Sequence, residues 1–283
     1  MITFGEFLGS YFLWRDPMIV GAAAGAICGL LGVYVVLRRI IFVSAALTQV
    51  SSFGVALSFY IEGLGLGALS AAVHPFALSI VLTVAAAVFF ALKKDYSRVS
   101  REGIIGFGFL IASAAVVILG DRITKGSHDI ASILFGSAVV VDPADVYIIP
   151  GIAMAAGAVL LFYMKDFIFV SFDEESAKLF KYPVGALNAG LMVMIAIVAA
   201  AATRALGALP VFAFLALPPL AALYFTERLK LAFILSAAMG VLSAVLGYFF
   251  SFVLSLPTGA SMAMCACLFF IAGLLWREVR KRV

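Results

Sequence analysis

Residues 17–37 read PMIVGAAAGAICGLLGVYVVL, an unbroken stretch without a charged side chain. At a rise of about 1.5 Å per residue, a helix of this length crosses the roughly 30 Å hydrocarbon core of a bilayer. The stretch therefore predicts a transmembrane helix. Arg38 and Arg39 follow it directly, and a second apolar run begins immediately after them.

The same pattern continues to the end of the chain. Apolar residues make up 65% of the 283 positions and charged residues only 12%, whereas a soluble domain carries about 25% charged residues. We therefore predict an all-α, polytopic transmembrane bundle of eight or nine spans, forming a single domain over residues 1–283. The spans after 17–37 are expected at 40–62, 74–92, 103–119, 145–165, 187–208, 210–226, 231–254 and 259–276.

Basic residues cluster between these runs rather than in one patch. The clusters lie at 38–39, 93–101, 228–230 and 277–282. The positive-inside rule places all four in the cytoplasm, which indicates a multi-pass protein of the bacterial inner (plasma) membrane. The net charge of +4 is too small and too dispersed for a nucleic-acid partner.

Two segments outside the spans contain apolar side chains. Residues 1–15 predict an amphipathic helix that lies in the lipid interface. The side chains expected to face lipid are Phe4, Phe7, Leu8, Tyr11, Phe12 and Trp14. The outer loop at 120–144 contains the apolar piece Ile130–Val141, which is too short to span and predicts a re-entrant or half-length helix.

No enzyme chemistry is visible in the sequence. HExxH, GxSxG and the phosphate-binding GxxxxGK[ST] pattern are all missing, so we expect neither catalysis nor ATP hydrolysis by this chain. The three cysteines lie in apolar runs without CxxC spacing. We expect no cofactor.

Polar residues within spans are costly in hydrocarbon and therefore informative. The second span brings Gln49 and Ser52 onto one face together with Ala45, and Thr48 lies beside them. This face could line a substrate pathway or could hydrogen-bond to a neighbouring helix. Arg204 is a full charge inside the sixth span, where it could face the pathway or extend to the interface.

Proline and glycine positions add two packing predictions. Pro218 and Pro219 predict a kink or break in the seventh span, as in helices that line a cavity. Gly21, Gly25 and Gly29 recur every four residues and predict close approach of another helix, either within the chain or from a second subunit.

Several stretches resemble the permease subunit of the bacterial ABC importers for zinc, manganese and iron. GVYVVLRRIIFVSAALTQVSSFGVALSF (32–59) is similar to the family's GxxVVLRRMSFLGDALSHAALPGVALAF, and SFDEESAKLFKYPV (171–184) to its FDxExAxxxG loop. The segments at 126–146, 204–222 and 239–264 resemble further family motifs in the same order.

This resemblance implies a helical permease that dimerises, with an identical chain or a paralogue, in membrane lipid. It implies partners as well: cytoplasmic ABC ATPase subunits, and a periplasmic or lipoprotein solute-binding protein. The segment 171–184 would be the coupling helix that contacts the ATPase. The contact residues carried over by the resemblance are Phe172, Asp173, Glu175, Ala177 and Lys181, where Lys181 occupies the family's glycine position.

The resemblance also exposes a departure at the substrate site. The family's Asp and His ligands correspond here to Ala45 and Gln49, and Arg204 replaces a glutamine. We therefore expect no tight metal site, and a fixed cation at Arg204 would repel a bare divalent ion.

The expected function is the permease of an importer for divalent metal ions or a metal chelate. A paralogous partner could instead supply the missing ligands, or the ion could pass through a weakly coordinating pathway. The alternative function is a non-transporting or partner-dependent ABC subunit that has lost the standard metal site.

Overall fold

The computed structural model describes residues 11–64, 74–92, 100–122 and 141–280. These residues are helical and contain no strand. The helices are α1 (Tyr11–Leu37), α2 (Ile41–Gly63), α3 (Pro75–Leu92), α4 (Arg101–Arg122), α5 (Asp145–Phe162), α6 (Met164–Phe172), α7 (Glu174–Leu179), α8 (Val184–Leu206), α9 (Ala208–Phe225), α10 (Leu229–Leu254) and α11 (Thr258–Arg280).

Nine helices of the described residues, all except α6 and α7, are long and apolar enough to cross a membrane. This confirms the all-α bundle and its predicted spans. Residues 11–15 of the predicted interfacial segment form the start of α1, and residues 1–10 lie outside the described residues. The predicted half-length helix at Ile130–Val141 also lies outside them, except for Val141.

Two sets of polar contacts show which helix ends share a membrane surface. Arg38, just after α1, hydrogen-bonds Ser171 at the end of α6 and Asn188 near the start of α8. At the other surface, Arg204 near the end of α8 contacts Asp145 at the start of α5. Because α9, α10 and α11 then cross in turn, the basic clusters at 38–39, 228–230 and 277–280 fall on one side, as the positive-inside rule requires.

The glycine repeat of α1 packs against α10 of the same chain. A Cβ at Gly25 would collide with the carbonyl oxygen of Gly240, and a Cβ at Gly29 would lie 2.5 Å from that of Ser236. The Ser236 hydroxyl donates to the Gly29 carbonyl at 2.7 Å. The predicted close approach is confirmed, and its partner is an internal helix rather than a second subunit.

The predicted break at Pro218 and Pro219 is wrong, because α9 runs continuously from Ala208 to Phe225 through both residues. Pro219 has no N–H for the carbonyl of Leu215, four residues earlier. That carbonyl lies against Gly32 of α1, where a Cβ would collide with it. The helix nevertheless continues through both prolines, and the chain breaks instead at Gly207, whose φ of 90° favours glycine.

Candidate functional site

The polar face of α2 contains two oxygens without hydrogen-bond partners. The Oε1 atom of Gln49 and the Oγ atom of Ser52 are both enclosed and unpaired among the described residues. Thr48, in contrast, donates to the Ala45 carbonyl at 2.9 Å. The bond between α2 and its neighbour α3 is made by Ser51, whose hydroxyl lies 2.9 Å from that of Ser79. Gln49 and Ser52 therefore differ from the other polar side chains of this helix in having an enclosed oxygen without a partner among the described residues.

The ligand chemistry of this face is limited to neutral oxygens. Ala45 is buried one turn before Gln49 and has no ligand atom. No group of three or more His, Cys, Asp or Glu side chains that could hold a metal ion occurs among the described residues. On α8, which packs against α2, the hydroxyl of Thr203 is also enclosed and unpaired. Sequence reasoning missed Thr203, since a threonine in an alanine-rich span carries no distinct signal.

Arg204 belongs to an ion-pair cluster at the outer surface. Its guanidinium lies 3.2 Å from the carboxylate of Asp142 and 3.3 Å from that of Asp145, and 5.5 Å from the ring centre of Phe76. The Asp145 contact has the distance of an ion pair without the direction of a hydrogen bond. The side chain is only 16% exposed, so neighbouring residues cover most of it.

This cluster corrects the electrostatic expectation for Arg204. Two carboxylates more than balance one guanidinium, so the residue does not present an uncompensated cation to an incoming metal ion. The sequence pattern VDPADV contained both carboxylates. Their link to Arg204 could not be read from it, because the partners are 62 and 59 positions apart.

Arg204 and Gln49 lie at different depths in the bundle. Asn188 touches Arg38 at the cytoplasmic end of α8, and Arg204 lies sixteen residues further along the helix, about 24 Å at the usual rise. Gln49 lies eight residues into α2, about 12 Å from its cytoplasmic end. The structure thus groups Ala45, Thr48, Gln49 and Ser52 on α2 and places Arg204 closer to the outer surface.

The cytoplasmic segment 171–184 contains the short helix α7, which is capped at both ends. The carboxylate of Asp173 accepts a hydrogen bond from the backbone N–H of Ser176 at 2.9 Å, as an N-cap does. Hydrogen bonding with Ser176 lowers the pKa of Asp173 below its ordinary value. At the other end, the N–H groups of Lys181 and Tyr182 bond the carbonyls of Lys178 and Ala177, both at 3.0 Å.

That pattern is a Schellman motif, which requires a left-handed residue after the helix. Lys181 takes this position with a φ of 60°. The residue at the family's glycine position therefore adopts the conformation that glycine favours, and the departure in sequence does not change the shape of the turn.

The outward face of this segment is unusually apolar. Phe172 is 66% exposed, Leu179 82% and Phe180 72%, with the exposed Glu175 on the same helix. Ala177, expected at the ATPase contact, is completely buried between Val170 and Val184. The methyl group of Ala177 packs α7 against the bundle, so it is not on the surface that an ATPase could contact. Leu179 and Phe180 were missed, although large apolar residues in a charged loop were the available signal.

Arg38 links this segment to the membrane domain. Its Nε donates to the hydroxyl of Ser171 at 2.8 Å and its Nη1 to the side-chain carbonyl of Asn188 at 2.7 Å. Burial lowers the pKa of Arg38 to about 10, partly opposed by Glu174 and Tyr34. Sequence reasoning treated Arg38 only as a topology signal and did not anticipate these contacts.

These features define a class. Nine candidate spans in the described residues, a polar face with two unpaired oxygens, and an exposed apolar cytoplasmic segment are those of a polytopic membrane permease. The chain belongs to the ABC 3 transport family, which matches residues 10–277. It is a multi-pass protein of the inner membrane, as the sequence predicted.

Named relatives cover nearly the whole chain. The chain is similar to the manganese transport system membrane protein MntC of Listeria monocytogenes, at 27% identity over 97% of this chain and 94% of the relative. It is also similar to the manganese import system permease protein ScaB of Streptococcus gordonii, at 25% identity over 93% and 91%. The solved structure of PsaBC from Streptococcus pneumoniae in complex with Fab aligns with a TM-score of 0.83 at 26% identity, covering 96% of this chain and 95% of the other.

Proposed function

We propose that this chain is the membrane-spanning subunit of an ATP-driven importer for a divalent metal ion, manganese foremost, or for a small metal chelate. Separate cytoplasmic ABC ATPase subunits hydrolyse ATP, and a periplasmic or lipoprotein binding protein delivers the substrate. A second permease chain, identical or paralogous, completes the pathway. The similarity to relatives named as manganese transport proteins supports this proposal.

The observation that carries the proposal is the pair of enclosed, unpaired oxygens on α2, Gln49 Oε1 and Ser52 Oγ. A buried polar atom without a partner costs about 1–3 kcal/mol. Two of them, three residues apart on one helix, are therefore best explained by a ligand that is present only during transport. Neutral oxygens are acceptable to manganese and bind it weakly, which suits an ion that must also leave the site.

The apolar surface of 171–184 is the proposed ATPase contact. Phe172, Leu179 and Phe180 expose large apolar side chains beside the carboxylate of Glu175. Burial of such side chains by a partner is favourable, and the capped helix α7 fixes the spacing between Phe172 before it and Leu179 and Phe180 at its end. Asp173 and Lys181 contribute to this surface mainly by fixing the ends of the helix.

Uptake measurement tests the α2 site. The chain is reconstituted in proteoliposomes with its ATPase, and manganese uptake is compared for wild type, Gln49→Ala, Ser52→Ala and Ser58→Ala. Ser58 is the matched control, because its buried hydroxyl is already bonded to the Val55 carbonyl at 2.7 Å. We expect uptake to fall about tenfold in the first two variants, the effect of roughly 1.4 kcal/mol, and to stay near wild type in the control.

Protein stability separates a lost site from a damaged fold. Removing an unpaired hydroxyl should leave Ser52→Ala at least as stable as wild type. Lost uptake together with a lower Tm would indicate a structural role for Ser52 and contradict the proposal, as would wild-type uptake in both α2 variants.

A second candidate is a subunit that contacts the ATPase without moving metal. The buried methyl group of Ala45, where the family places a carboxylate, favours it. Under this alternative, ATP hydrolysis responds to the chain while wild-type uptake is absent. The double variant Ala45→Asp, Gln49→His would then create uptake that the wild type lacks.

A further inference from the structure

A cavity of about 760 Å³ opens at the cytoplasmic membrane surface, between the ends of α1, α3 and α6 and the start of α8. Its lining includes apolar side chains, among them Leu92 and Met192. The same lining includes the cations Arg38, Arg39 and Lys178. The cavity therefore offers both apolar and cationic contacts.

The positive charge of this cavity is not balanced by the residues that line it. Glu174 is the one carboxylate of the lining, and it pairs with Lys178 at 2.7 Å. The Nε and Nη1 atoms of Arg38 donate to the neutral side chains of Ser171 and Asn188. The Nη2 atom of Arg38 is enclosed and has no hydrogen-bond partner among the described residues. Arg39 forms no ion pair within the described residues. Within the described part of the chain, neither Arg38 nor Arg39 therefore forms an ion pair, although Glu174 lies close enough to Arg38 to influence its pKa.

We propose that this cavity binds the phosphate group of an anionic phospholipid from the cytoplasmic leaflet. The guanidinium groups of Arg38 and Arg39 would hold the phosphate oxygens, since planar guanidinium donors match phosphate geometry. The start of α8 at Val184 and Gly185 also lines the cavity, and a helix N-terminus favours an anion. The site is distinct from the α2 pathway and does not rest on the proposed function.

The apolar part of the lining favours a lipid over free phosphate. Leu92 ends α3 and its side chain is 73% exposed, so an acyl chain could cover it. Inorganic phosphate would satisfy the guanidinium groups but would leave this side chain uncovered. Basic pockets between helices on the cytoplasmic side are typical sites for anionic headgroups.

The occupied site would stabilise the segment 171–184. Arg38 bonds Ser171 before α7 and Asn188 after it, so the segment is held from both sides by one guanidinium group. A phosphate on the unpaired Nη2 would fix this group in place. A headgroup in the cavity would therefore hold the surface that we propose for the ATPase contact.

Variants at two left-handed positions make a matched test. Arg39 has a φ of 56° and ends α1 in the same Schellman pattern that Lys181 forms after α7. Arg39→Gly and Lys181→Gly each remove one cytoplasmic cation and relieve the same backbone conformation. Only Arg39 lines the cavity. Loss of binding in Arg39→Gly alone can therefore be assigned to the site rather than to folding or to overall charge.

The experiment is native mass spectrometry of the purified full-length chain with phosphatidylglycerol or phosphatidylcholine, with thermal unfolding measured in parallel. We expect preferential binding of phosphatidylglycerol and a rise in Tm. Arg39→Gly should weaken this binding about fivefold, as expected for one cation near the surface, and Lys181→Gly should bind as wild type does.

Three results would overturn the proposal. One is equal binding of the two lipids by the wild type, and another is equal loss of binding in both glycine variants. The third is a rise in Tm with millimolar inorganic phosphate in detergent that phosphatidylglycerol does not exceed, which would assign the cavity to free phosphate instead of lipid.

Discussion

Lys181 shows how a single residue can depart from a family pattern without changing the structure. Its backbone is left-handed, and the Schellman hydrogen bonds around it are complete. A non-glycine residue in this conformation is strained by about 1–2 kcal/mol. We expect Lys181→Gly to raise the free energy of unfolding by about 1 kcal/mol, measured by thermal unfolding in detergent.

The same variant separates two roles of Lys181. If the turn is what the ATPase recognises, ATP hydrolysis coupled to transport should be unchanged in Lys181→Gly. If the charge is recognised, coupling should fall while Tm rises. A variant that lowers Tm would show that the left-handed conformation is not a source of strain.

Residues that carry a local signal could be predicted, and residues defined by distant contacts could not. Gln49 and Ser52 stand out because polar groups are rare inside apolar spans, and the structure leaves both unpaired. Arg38 owes its role to Ser171 and Asn188, 133 and 150 positions away. No pattern in a single sequence links such positions, so the chain around Arg38 indicated only a cytoplasmic loop.

Between helices, the closest packing is that of α1 on α10. The Cβ of Gly25→Ala would collide with the carbonyl of Gly240, whereas that of Gly21→Ala would lie 3.5 Å from its nearest neighbours, an ordinary contact. Overpacking of this kind costs about 1–3 kcal/mol. We expect Gly25→Ala to lower the Tm and Gly21→Ala to leave it unchanged or raise it, since alanine favours helix. Equal effects of the two substitutions would contradict this packing.

The ends of α7 allow charge and folding to be tested separately. Asn is as good an N-cap as Asp, so Asp173→Asn keeps the helix while removing the charge. Together with Glu175→Gln, which changes an exposed residue, it should reduce transport per ATP hydrolysed without lowering the Tm. Unchanged coupling in this double variant would count against the charges of 171–184 as an ATPase contact.

Acid pH gives an independent check of the same cap. Because the folded-state pKa of Asp173 is lowered from 3.8, its stabilising contribution is present above that value and is lost as pH falls through the lowered pKa. Asp173→Asn should therefore be less sensitive than wild type to unfolding in this acid range. Circular dichroism at descending pH would measure the difference.

Over the whole molecule, the spans could be predicted and their contacts could not. Each span must satisfy its own backbone hydrogen bonds and match the bilayer thickness, so its length and hydropathy are visible locally. The close contact between Gly32 of α1 and the proline-containing helix α9, in contrast, joins segments that no local pattern links. The outer ion-pair cluster depends on how α5 and α8 meet, which the apolar sequence of either helix does not encode by itself.

The ion-pair cluster of Arg204, Asp142 and Asp145 joins α5 and α8 at the outer surface. Asp145 is only 5% exposed, so removing the guanidinium would leave a buried carboxylate without its counter-ion. Breaking a buried pair from one side is strongly destabilising, by about 3 kcal/mol at the lower limit for such pairs. We therefore expect Arg204→Leu to lower the Tm of the purified chain by several degrees.

Removing the carboxylate as well should recover much of that loss, because a neutral amide no longer needs a counter-ion. The double variant Arg204→Leu, Asp145→Asn should be more stable than Arg204→Leu alone, and Asp142→Asn, at the more exposed carboxylate, should rescue it less. A thermal-unfolding double-mutant cycle measures the coupling between the two residues. Additive effects of Arg204→Leu and Asp145→Asn would mean that the pair does not hold α5 and α8 together at the outer surface.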